Sequence, residues 1–86
     1  MLLGAIDVGT NSIHLIVVEL DPRFGTSRTI LKAREMVRLG GGDALVKGHL
    51  SRKAVQRGVD AIVRFAGMAR EAGAEEIRAV ATSAVR

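Results

Sequence analysis

Residues 5–12 read Ala5-Ile6-Asp7-Val8-Gly9-Thr10-Asn11-Ser12, an apolar run that meets one carboxylate, a glycine and three small hydrogen-bonding side chains. The apolar lead, Leu2 to Asp7, predicts a short strand at the centre of a sheet with both faces covered. A tight turn follows. Gly9 carries no Cβ, so the turn can adopt positive φ and aim the backbone N–H groups of Gly9 to Ser12 at one point. Thr10, Asn11 and Ser12 add side-chain donors to the same concavity, which makes the stretch a candidate phosphate cradle. Asp7 cannot bind phosphate directly. It can hold a hydrated Mg²⁺ that bridges to phosphate oxygens, because Mg²⁺ keeps several waters and takes only one or two protein carboxylates.

Working outward, Ile13 to Leu20 is rich in β-formers and apolar apart from His14, so it should pair antiparallel with the first strand across the turn. Within that run His14 reads as a packed histidine. Asp21-Pro22-Arg23-Phe24-Gly25 is a turn, with proline fixing φ and glycine able to go left-handed. It returns the chain into a third strand over Ser27–Arg38, where apolar and basic residues alternate imperfectly and so indicate a sheet edge or a bulge. Arg34 and Arg38 read either as edge charges that block aggregation or as a track for a polyanion, and Arg38 counts among the candidate phosphate-binding residues. Glu35 is expected to pair with these arginines.

Leu39-Gly40-Gly41-Gly42 ends the strand. Ser51 is then a natural N-cap for a helix from Arg52 to about Ala72. Val55, Val59, Ile62, Ala66 and Ala69 recur at helical spacing and predict the buried stripe, which leaves Arg52, Lys53, Arg57 and Arg64 on the solvated face. Gly73 fits the position just past the helix end. A final strand over Ile77–Ala81 completes an α/β unit: three antiparallel strands, a crossover helix and a strand parallel to the first.

Composition sets bounds. The chain has 86 residues, no cysteine, two phenylalanines, no tryptophan and no tyrosine, so it forms one domain at most, with neither a disulfide framework nor a thiolate metal site. A domain of this size buries only about 60% of its unfolded surface. The formal charge of +4 suits an anionic partner, but acidic residues are interspersed and no five like charges run together, so a nucleic-acid arm is not expected. The N-terminus lacks the basic and apolar regions of a signal peptide, and no apolar run approaches the ~20 residues of a membrane span. A cytoplasmic protein without membrane contact is the expectation. His14 and His49 do not stand at zinc-ligand spacing.

Four segments together carry a resemblance: Asp7-Val8-Gly9-Thr10-Asn11-Ser12, then Arg34-Glu35-Met36-Val37-Arg38-Leu39-Gly40, then Gly48-His49-Leu50-Ser51, and last Ala81-Thr82-Ser83-Ala84-Val85-Arg86. In order and spacing they resemble the exopolyphosphatase and guanosine pentaphosphate phosphatase family, across essentially the whole chain. The resemblance implies the N-terminal half of an actin, Hsp70 and sugar-kinase-like (ribonuclease H-like) domain. It further implies Mg²⁺-dependent release of terminal phosphate from inorganic polyphosphate or guanosine pentaphosphate. Gly9, Thr10, Asn11, Ser12 and Arg38 would then bind phosphate, Asp7 the metal, and Arg86 would match an active-site arginine. The family's later Gly-Gly-Gly-Ser-Thr-Glu type loop and its general-base glutamate have no counterpart, so residues 1–86 are expected to be the first part of a longer, homodimeric enzyme and inactive alone. Two other classes stay open: a nucleotide-binding ATPase or kinase of the same superfamily, which would share the first turn, and a non-catalytic interaction module.

Overall fold

The computed structural model describes all residues except Thr10, 38–44, 47–48 and 82–86. Its elements are β1 (Leu2–Val8), β2 (Ser12–Asp21), β3 (Thr26–Met36), β4 (Leu45–Val46), β5 (His49–Leu50), α1 (Arg52–Glu71) and β6 (Glu76–Ala81). The main sheet has the order β3-β2-β1-β6, antiparallel at β3/β2 and β2/β1 and parallel at β1/β6. The expected hairpins, crossover helix and parallel return strand are all present. A two-stranded β4/β5 pair, in the stretch between the glycine run and Ser51, was not foreseen.

β3 is both an edge strand and a bulged one. The pairing slips between Val17 and Val18, which face Leu31 and Thr29, so Ile30 is the extra residue. The insertion puts Thr29 and Leu31, two residues apart, on opposite faces of the sheet, so strict alternation fails at Ile30.

The helix is capped as its residues require. Ser51 Oγ accepts the Ala54 N–H at 3.1 Å. At the other end the Gly73 N–H donates to the Arg70 carbonyl and the Ala74 N–H to the Ala69 carbonyl, both at 2.9 Å, with Gly73 at φ +96°. This is a Schellman closure, and its left-handed residue is the glycine.

Packing corrects two expectations. α1 buries Ala54, Gly58, Ala61, Phe65 and Ala69, whereas Val55 and Val59 are 47% and 46% exposed. The buried stripe is thus rotated toward the smallest side chains. The reason is distance: a Cβ built on Gly4 of β1 would lie 3.1 Å from the Ala69 Cβ, so the helix lies close to the strand and branched side chains do not fit beneath it. Second, among the described residues only one face of β1 is covered. Ile6, Val8, Ile13, Leu15 and Val17 are buried with the α1 residues, while Ala5, Asp7 and His14 are exposed on the opposite face.

Candidate functional site

Alternation along the two central strands decides what the site presents. Ile13 and Leu15 enter the core, so His14 between them must emerge on the open face, beside Asp7 of β1. Arg34 of β3 continues the row on the far side of His14, and Val80 of β6 flanks Asp7. His14 is therefore not the packed residue expected from its apolar neighbours. A shallow depression of about 600 Å³ covers this row and the next, lined by Asp7, His14, Ile16, Lys32 and Arg34 among others. Its charged rim is one carboxylate against an ammonium and a guanidinium.

The turn joining β1 to β2 is held from two sides. Gly9 donates its N–H to the Ser12 carbonyl at 3.0 Å, closing the hairpin, and the Val37 N–H donates to the Asn11 carbonyl at 2.8 Å. The first bond corrects the expectation that all amides from Gly9 to Ser12 point at an anion. The Gly9 donor is committed to the hairpin. Ser12 Oγ and His14 Nε2 share a hydrogen bond at 3.0 Å, while Asn11 is exposed. Thr10, Arg38 and Arg86 lie outside the described residues.

Two helix arginines reach the end of β3 instead of lying free on a solvated face. Arg57 Nε donates to the Val37 carbonyl at 3.1 Å, and Arg64 Nη2 pairs with the Glu35 carboxylate. Glu35 thus pairs across elements rather than with its sequence neighbour Arg34. The one signal for His14 was strict alternation with Ile13 and Leu15. No local signal marks Arg57, because its partner is 20 residues away.

Asp7 is a single exposed carboxylate next to the turn, and no group of three or more His, Asp or Glu side chains that could hold a metal ion occurs among the described residues.

A sequence model of the Ppx/GppA phosphatase family matches residues 16–86. The chain belongs to this family. Among Ppx/GppA relatives, the guanosine-5'-triphosphate,3'-diphosphate pyrophosphatase of Vibrio vulnificus is 40% identical over 99% of the chain. The protein of the same name from Aeromonas hydrophila is 38% identical over 99%. An exopolyphosphatase from Cytophaga hutchinsonii superposes with a TM-score of 0.82 at 29% identity, over 98% of the chain. The Aquifex aeolicus Ppx/GppA protein superposes with a TM-score of 0.84 at 24% identity, a likeness of fold. The fold class is therefore that of the Ppx/GppA enzymes, the actin-like one. The chain spans 16% of the length of the two sequence relatives and 26% of each of these structures. Among the described residues no helix is long and apolar enough to cross a membrane.

Proposed function

We propose that this chain contributes the phosphate-gripping first part of a cytoplasmic Ppx/GppA hydrolase that releases terminal phosphate from inorganic polyphosphate or guanosine pentaphosphate. The observation that supports it most directly is the family match joined to a hairpin turn whose backbone is fixed at both Gly9 and Asn11. Phosphoanhydride hydrolysis asks little covalent help of a protein, so positioning and charge neutralisation carry most of the acceleration. A turn tied down by hydrogen bonds at Gly9 and Asn11 suits that task.

In this reading the Ser12 hydroxyl and the Asn11 amide group bind the terminal phosphate, with Thr10 beside them in sequence. The rim cations Lys32 and Arg34 draw the polyanion toward the open face. Arg86, permanently charged and able to grip phosphate bidentately, neutralises charge on the transferred group, and Arg38 extends the anionic track. Asp7 would hold Mg²⁺, which supplies neutralisation of phosphate oxygens when bound.

The test is phosphate release by the full-length protein, followed with malachite green on long-chain polyphosphate, guanosine pentaphosphate and ATP. Release from polyphosphate or guanosine pentaphosphate is expected. Rapid release from ATP alone would replace this reading with that of a superfamily ATPase.

A further inference from the structure

We propose that Arg57 is a positioning residue for the phosphate turn, acting through the main chain of Val37. The proposal rests on the reading of residues 7–12 as the phosphate site. Val37 is 3% exposed, so neither of its main-chain polar groups can rely on water. Its N–H is spent on the Asn11 carbonyl at 2.8 Å, and its carbonyl receives Arg57 Nε at 3.1 Å. The helix therefore grips Val37, and Val37 grips the turn.

Two further features make this a stiff connection. Arg64, seven residues along α1 and on the same side of the helix, pairs with Glu35, which itself faces Ile13 of β2 in the sheet register. The end of β3 is thus pinned to one helix at two points. The helix in turn is seated by Ala54, Ala61 and Phe65, all buried in the core. A position set by tight packing is carried through two hydrogen bonds to Asn11, the residue next to Ser12.

A guanidinium suits the role because it stays charged and donates in a fixed plane, and a hydrogen bond from a charged donor is stronger than a neutral one. Misplacing a binding group by about 1 Å can cost ~10²-fold in rate, so a residue that never touches substrate can still govern its grip.

The experiment compares Arg57→Met, which keeps the apolar stem and loses the donor, with Arg57→Lys, which restores a donor. Arg70→Met, at the far end of α1, serves as control. In the full-length protein, amide hydrogen exchange at Val37 and steady-state phosphate release are measured together with the melting temperature. Arg57→Met is expected to speed exchange at Val37 and raise KM about tenfold, the scale of one charge-assisted hydrogen bond, with a much smaller change in kcat. Arg57→Lys should recover most of both. Exchange and KM equal to those of Arg70→Met would overturn the proposal. So would a lowered melting temperature with KM unchanged, since that describes a packing residue only. If the wild-type protein released phosphate from none of the substrates, the phosphate reading would fall separately, and Val37 exchange would still decide whether Arg57 holds the turn.

Discussion

Replacing Phe65 by alanine is the sharpest test of how α1 sits on the sheet. Phe65 is 4% exposed, and the other buried helix positions are Ala54, Gly58, Ala61 and Ala69, so this ring is the largest of the helix's buried side chains. Phe→Ala in a packed core costs about 3–5 kcal/mol from lost transfer energy plus the cavity left behind. An 86-residue domain is stabilised by only about 4–13 kcal/mol in total, at roughly 0.05–0.15 kcal/mol per residue. The substitution should therefore remove between a quarter and all of the stability. Urea unfolding followed by far-UV circular dichroism measures it. With a slope near 1 kcal/mol per molar, the midpoint should fall by ~3 M or the chain should be unfolded in buffer. Val63→Ala is the partner experiment: Val63 is 64% exposed on the same helix and should change stability by less than about 0.5 kcal/mol. Equal losses at Val63 and Phe65 would mean that Val63 is packed as tightly as Phe65, and the packing argument would fail.

Three further outcomes follow from single contacts. Ser51→Ala removes the acceptor of the Ala54 N–H and should cost ~1 kcal/mol, read as a shift in the urea midpoint. Gly73→Ala forces a Cβ onto a residue at φ +96° and brings it to 3.1 Å from Leu2 Cδ1, so a loss of about 1–3 kcal/mol is expected in a thermal melt. Asp7→Asn in the full-length protein should lower kcat for phosphate release by ~10²-fold, on the scale of losing one electrostatic stabiliser.

The architecture was largely legible in the residues, since hairpins, caps and the crossover are encoded locally. Ser51 and Gly73 mark the helix ends by their own chemistry, and the ragged alternation before Met36 betrays the bulge at Ile30. The helix phase was not legible. A periodicity count rewards valine and isoleucine, whereas a helix pressed against Gly4 selects alanine and glycine for the contact, and that distance exists only after folding. The site shows the same division. Asp7, Asn11 and Ser12 announce themselves by type and spacing, and His14 could have joined them by alternation. The commitment of the Gly9 donor and the reach of Arg57 to Val37 depend on which backbone groups meet across the tertiary structure.

The passage from α1 to β6 has its own implication for evolution and engineering. Glu71 ends the helix and Glu76 opens the strand, while the Glu75 N–H already donates to the Leu2 carbonyl at 2.8 Å. The Schellman closure fixes the direction of exit, so the four residues between act as a ruler of set length. Adding or deleting one there would turn Ile77 from the helix side of the sheet to the open side and carry every later residue of β6 with it. Apart from Gly73, whose positive φ disfavours any side chain, the connector should accept substitutions far more readily than changes in its length.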